Sequence, residues 1–148
     1  MTRAARPGTH RFSFFTGADT RQVWAMLTSA GNSTAYFHGF DISTSWRPGA
    51  PIRFRGSSDP DAAPPVLTGS VLCVQPRSRL SFYFSSGPGD PRTYTTWELR
   101  PSTSGTVVQL QVDQVDCLDT VTDAEDTWLP VLAALQELLS PHGQARPG

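Results

Sequence analysis

Apolar and polar residues alternate along most of the chain, which is the pattern of half-buried β-strands. The alternation is clearest from Phe40 to Trp46, where aspartate and serine stand between the larger side chains. Stretches rich in proline, glycine and aspartate separate the alternating runs and predict turns and loops. The period of two predicts seven strands, at Arg11–Phe15, Phe40–Trp46, Ile52–Arg55, Val66–Val74, Leu80–Ser85, Tyr94–Arg100 and Thr106–Val115.

Two short helices are predicted between the first and second strands. Asp19 lies shortly before an apolar run, and Gln22 stands three residues after Asp19. This spacing is the capping-box pattern of a helix start. A break at glycine and asparagine follows, and Thr34–Phe37 is long enough for only one further helical turn.

A longer helix is predicted at the end of the chain, from Asp123 onward. Pro130 falls within its first turns, so we expect the regular part to begin at about Leu129. We interpret the acids at its start, which include Glu125 and Asp126, as partners of the helix dipole rather than metal ligands, because no calcium-loop spacing is present. The apolar residues at helical spacing are Trp128, Val131, Leu132, Leu135, Leu138 and Leu139.

The chain length of 148 residues is that of one domain, so we expect a single core over residues 11–140 with flexible tails at 1–10 and 141–148. The order of strands, short helices and one long helix indicates an α+β domain. The longest apolar stretch is only a few residues, and no secretory signal is evident at the start. We therefore expect a cytoplasmic protein that does not enter membranes.

All twelve basic residues are arginine, which excludes lysine chemistry such as Schiff bases. Residues 1–100 hold eleven arginines and six acids, whereas residues 101–148 hold one arginine and seven acids. Neither part has a dense basic run, so we expect no nucleic-acid partner. Because no metal-binding or phosphate-binding motif is present, we also expect no metal and no cofactor.

Five segments together resemble one known family. They are Ala18–Leu27 with its Val-Trp pair, the turn Ser45–Gly49, Gly69–Phe82, Thr95–Leu110, and Trp128–Leu139. Their order and spacing are similar to the helix-grip fold of the START-like (SRPBCC) superfamily. Within it they most resemble the family named after the C-terminal domain of the activator of heat-shock-protein ATPase. One departure is Thr127, where the family often has glycine before the tryptophan of the last helix.

The resemblance implies a curved antiparallel sheet, two short helices and one long C-terminal helix that enclose a cavity. Aromatic residues at inward-facing strand positions suit such a cavity, and a solid core is the alternative. The candidate ligand-binding residues are Tyr36, Trp46, Phe54, Phe82, Phe84, Trp97, Trp128 and Leu132.

Three functions fit this resemblance. The leading hypothesis is an intracellular protein, monomeric or weakly dimeric, that binds a hydrophobic aromatic or polycyclic small molecule for sequestration or self-resistance. The second is a polyketide cyclase-, aromatase- or hydrolase-like enzyme, for which His38, Tyr36 and Arg55 are the catalytic candidates. The third is a protein-interaction module of the chaperone-activator kind. We expect binding rather than turnover, because His38 is the only side chain near the predicted cavity of a type that titrates near neutral pH.

Overall fold

A computed structural model of the protein describes residues 9–29, 31–56, 66–87, 91–115 and 121–140. The predicted tail at 141–148 and most of the tail at 1–10 lie outside these residues, whereas Thr9 and His10 open the first strand. The elements in chain order are β1 (Thr9–Thr16), α1 (Thr20–Thr28), α2 (Ser33–Tyr36), β2 (Asp41–Ser43), β3 (Pro51–Arg55), β4 (Val66–Gln75), β5 (Arg79–Ser85), β6 (Arg92–Ser102), β7 (Gly105–Val115) and α3 (Val121–Leu139).

The seven strands form one antiparallel sheet in the order β1-β7-β6-β5-β4-β3-β2. Helix α3 packs against β1 and against both short helices. The buried face of α3 includes Val131 and Leu135, both at most 1% exposed. Strands that curve around one helix define a helix-grip α+β fold, and the predicted fold class is confirmed.

The start of α1 follows the prediction in atomic detail. The Asp19 carboxylate accepts a hydrogen bond from the backbone N–H of Gln22 at 2.8 Å. In return, the Gln22 side-chain oxygen accepts one from the backbone N–H of Asp19 at 2.9 Å. This reciprocal capping box satisfies two donors that a helix start otherwise leaves unbonded.

The second strand and the last helix differ from their predicted bounds in ways that affect the interior of the domain. The second strand ends at Ser43 rather than continuing to Trp46, because the chain leaves the ladder before Trp46, whose φ is 57°. Helix α3 is regular from Val121, with Pro130 inside it rather than at its start. Pro130 and Asp126 are both exposed, so the backbone carbonyl that proline leaves unbonded can be hydrated.

Within the described part of the chain, no helix is long and apolar enough to cross a membrane.

Candidate functional site

A cluster of aromatic rings fills the space between the curved sheet and α3. We define this aromatic cluster as Trp46, Phe82, Phe54, Phe84, Phe37 and Trp128. Phe37 is its hub, with ring centroids 5.4 Å from Phe54 and 5.4 Å from Trp128. Phe54 also lies 4.7 Å from Phe84, and Trp46 lies 5.9 Å from Phe82. These are favourable separations for tilted and edge-to-face pairs, so the rings stabilise one another.

Inside this cluster is a small apolar cavity. Six of the eight predicted ligand-binding residues line it, namely Tyr36, Trp46, Phe54, Phe82, Trp97 and Trp128. The space that the centre of a water molecule can occupy is about 10 Å³, which is near the minimum for a single water. The interior is therefore closed in this structure, and an aromatic ligand requires the rings to separate.

The other two predicted ligand-binding residues belong to the same core without lining the cavity. Phe84 packs on Phe54 and lies 6.5 Å from Trp128. Leu132 is 6% exposed on the buried face of α3.

Four lining residues were not among the predicted ones: Leu27, Phe37, Ile42 and Leu80. Leu27 and Phe37 come from α1 and from the end of α2, where no period-two pattern marks the inward side. Leu80 shares the inward face of β5 with Phe82, so the period-two pattern that identified Phe82 also marks Leu80 as inward-facing.

Among the ten described residues that line the cavity, Ile42 and Trp46 are the two that are partly exposed, so they form the wall between the cavity and solvent. The backbone of Trp46 is in the left-handed region, which bulky residues adopt only where the surroundings hold them there. Its indole Nε1–H donates to the carbonyl oxygen of Thr28 at 2.8 Å, and its backbone N–H donates to the Thr44 hydroxyl at 3.3 Å. The indole bond fastens the wall to the end of α1, whereas the backbone bond holds the local turn at Trp46.

The hydroxyl of Tyr36 is buried in the wall of the cavity. It donates a hydrogen bond to the carbonyl oxygen of Leu27 at 3.3 Å. Burial raises the pKa of Tyr36 well above its usual value, because removal from water disfavours the phenolate. Tyr36 is therefore a poor proton donor at neutral pH.

The two other catalytic candidates lie outside the cavity. His38 is exposed, and its Nε2 donates to the carbonyl oxygen of Thr127 at 2.7 Å. Arg55 is exposed on β3, next to the fully buried Phe54, so its side chain is on the outer face of the sheet. The structure does not bring the three candidates together around one reacting centre.

Two larger depressions lie elsewhere, at the outer face and at an edge of the sheet. One, of about 290 Å³, is lined mainly by charged and amide side chains, and these bond to one another. Arg79 and Glu98 form an ion pair at 2.9 Å, and Arg11 donates to Gln111 at 3.0 Å. The other, of about 500 Å³, is a shallow hydroxyl-lined hollow beside β2 and β3. Neither has the enclosed apolar lining typical of small-molecule sites, so the aromatic cluster is the stronger candidate.

Among the described residues, no three side chains of histidine, cysteine, aspartate or glutamate are grouped as metal ligands would be. Of the predicted acidic cluster, Glu125 and Asp126 are exposed at the start of α3, and the side chain of Asp123 lies outside the description.

The sheet, the enclosing helix and the aromatic interior define a START-like (SRPBCC) protein. The chain belongs to the activator of Hsp90 ATPase homolog 1-like protein family, whose model matches residues 18–140. The family resemblance found in the sequence motifs is thereby confirmed. No curated protein matches the sequence significantly.

Several solved structures share the fold at low sequence identity. CV1439 from Chromobacterium violaceum has a TM-score of 0.78 and 16% identity, over 92% of this chain and 99% of its own. NE0264 from Nitrosomonas europaea has a TM-score of 0.71 and 21% identity, over 92% and 96%. DynU16, a protein of the dynemicin biosynthetic locus, has a TM-score of 0.74 and 23% identity over 89% of this chain. The match covers 47% of DynU16, about half its length.

Proposed function

We propose that this protein binds a hydrophobic aromatic small molecule within the aromatic cluster. The observation that carries the proposal is the composition of the cavity wall, in which ten side chains from both sheet and helices are all aromatic or aliphatic. A ligand with flat apolar faces replaces ring-to-ring contacts with ring-to-ligand contacts of the same kind, at little cost in polar desolvation.

The wall at Trp46 supplies a route to the interior. Trp46 and Ile42 are the partly exposed members of the lining, and Trp46 is held there by one indole hydrogen bond in a left-handed backbone conformation. Release of that bond allows the backbone at Trp46 to leave the left-handed region. The opening therefore needs only a local rearrangement of the β2–β3 connection, while α3 stays on the sheet.

Binding explains the site better than catalysis does. General acid–base catalysis needs a titratable group within hydrogen-bond reach of the reacting atom. His38 and Arg55 point away from the cavity, and the Tyr36 hydroxyl is engaged with Leu27. The third hypothesis, an interaction module, needs a continuous apolar patch. The exposed large apolar residues of the described chain are instead Phe15, Leu72 and Leu129, on three separate elements.

Sequestration or self-protection is the finer form of this proposal. A closed apolar interior removes a reactive aromatic compound from water, which suits storage more than rapid turnover. The location of DynU16 in a biosynthetic locus supports such a role only by analogy of fold.

The proposal is tested with 2-methylnaphthalene as the probe, by equilibrium dialysis against the purified protein. We expect saturable binding by the parent, and at least about tenfold weaker binding by Ile42→Phe, whose larger side chain narrows the cavity mouth. The matched control is Leu129→Phe, the same kind of change at a 48% exposed position on α3. Absence of saturable binding, or equal binding by both variants, would refute the proposal.

A further inference from the structure

Thr95 is an exception among the buried hydroxyl groups of the described residues. The hydroxyls of Thr16, Ser33 and Thr106 are all bonded to backbone groups. Thr95 is 0% exposed in the centre of β6, and its Oγ1 has no hydrogen-bond partner among the described residues. A buried hydroxyl without a partner destabilises the folded state, so its presence calls for an explanation.

The strand register places Thr95 beside the cavity. Thr95 is directly opposite Phe82 on β5, and Trp97 follows it by two residues on the same inward face of β6. Phe82 and Trp97 both line the cavity. Directly opposed residues have Cβ atoms about 5 Å apart, so a ligand that separates these rings comes within reach of the Thr95 hydroxyl.

A second unpartnered polar atom lies on the same row of the sheet. His10 is 9% exposed, faces inward from β1, and its Nε2 has no hydrogen-bond partner within the described chain. Val112 is directly opposite His10 on one side and Thr95 on the other. His10 falls in the tail predicted from the sequence, and only its pairing with Val112 reveals its inward position. Two unpartnered polar atoms, on His10 and Thr95, therefore face the interior on either side of Val112, on strands about 10 Å apart.

We infer that Thr95 is a ligand-binding residue, and that the ligand is an aromatic compound carrying a hydroxyl or carbonyl oxygen that hydrogen-bonds to the Thr95 hydroxyl. A hydroxyl both donates and accepts, so it pairs with either kind of oxygen. This inference rests on the proposed function and narrows its ligand class from hydrophobic aromatic molecules in general to those that carry oxygen. The bond forms in a site shielded from water, where it contributes most to specificity.

The test compares 2-naphthol with 2-methylnaphthalene, which have the same ring system and differ by hydroxyl against methyl. The variant is Thr95→Val, which has nearly the same shape and suits a strand. The matched control is Thr106→Val, because Thr106 is also 0% exposed but donates to the carbonyl oxygen of Ala18 at 2.8 Å. Dissociation constants come from equilibrium dialysis and melting temperatures from thermal unfolding without ligand.

We expect the ratio of the 2-naphthol to the 2-methylnaphthalene dissociation constant to rise about tenfold in Thr95→Val and to stay unchanged in Thr106→Val. Without ligand, Thr95→Val raises the melting temperature by roughly 3 °C, whereas Thr106→Val lowers it, because only the second change breaks a bond. An unchanged ratio in Thr95→Val, or a lowered melting temperature that shows its hydroxyl to be bonded in the free protein, overturns the inference and leaves the proposed function intact. If the parent binds neither probe, both fail.

Discussion

The imidazole of His38 and the carbonyl of Thr127 join the turn after α2 to helix α3, through a 2.7 Å hydrogen bond from Nε2. His38 follows the end of α2 with a φ of 50°, the left-handed position at which many helices terminate. The side chain is thus directed along the outside of the domain, toward α3. This contact gives His38 a structural role outside the cavity.

Replacement of His38 with alanine removes this bond. We expect the free energy of unfolding to fall by about 1 kcal/mol, because the bond is exposed and competes with water. The dissociation constant of 2-methylnaphthalene should change by less than about twofold, because His38 lies outside the cavity. Chemical denaturation and dialysis measure the two quantities. A large loss of binding at unchanged stability would instead make His38 part of the site.

The left-handed backbone of Trp46 predicts an unusual order of stability for small replacements. Where the backbone conformation suits both residues, glycine is less stabilising than alanine by about 0.4–1 kcal/mol. At Trp46, with φ of 57°, we expect Trp46→Gly to be more stable than Trp46→Ala by about 1 kcal/mol. Ser45 is the adjacent control, where Ser45→Ala should be more stable than Ser45→Gly. Urea unfolding of the four proteins decides the point, and the same order at both positions would contradict it.

Trp128 is 2% exposed and in ring contact with Phe37 and Phe84. Because the side chains around it are closely packed, truncation leaves a void. Trp128→Ala should therefore lower the free energy of unfolding by about 3–5 kcal/mol. Leu129 is the neighbouring control, and Leu129→Ala should cost less than about 1 kcal/mol because the side chain is 48% exposed. Similar losses in both variants, measured by denaturant unfolding, would show that the interior is loosely packed.

Tyr36 predicts a dependence of stability on alkaline pH. Burial raises its pKa in the folded protein above the usual value of 10.0, whereas in the unfolded chain the group ionises near 10. Above that pH the unfolded chain loses the proton while the folded protein retains it. Stability therefore falls with rising pH, by up to about 1.4 kcal/mol per pH unit, and does not change through Tyr36 at lower pH.

The matched variant is Tyr36→Phe, which keeps the ring and removes the hydroxyl. Its stability should fall less steeply than that of the parent above about pH 10, near the usual pKa of tyrosine. Thermal unfolding across the alkaline range measures both slopes. Parallel slopes would show that Tyr36 does not contribute.

Much of the fold follows from the period-two pattern, because inward and outward positions on a strand must alternate. Phe54, Phe82 and Trp97 are predicted to face inward on this ground, and all three are at most 4% exposed. The capping box at Asp19 is equally local. Such features depend on residues near one another in the chain, which is why the sequence reveals them.

Other features depend on distant contacts and are not local in this sense. His10 belongs to β1 because its strand pairs with Val112, about a hundred residues away. Trp46 leaves the sheet to bond Thr28, against a pattern that continues the strand. Phe37 becomes the hub of the aromatic cluster only when α2 is placed over the sheet. The size of the cavity is set by how all these rings pack together, so no single pattern predicts it.

Pro130 divides the backbone bonding of α3 into two stretches, since proline has no N–H to offer the carbonyl of Asp126. The later stretch is fastened to β1, where the Gln136 side chain donates to the Phe15 carbonyl at 3.0 Å. The earlier stretch is anchored by the buried ring of Trp128 and by the bond from His38 to the Thr127 carbonyl. Although α3 is one continuous helix, the stretches before and after Pro130 should therefore unfold locally with different free energies. We expect amide protons at 121–129 to exchange with solvent faster than those of residues 131–139.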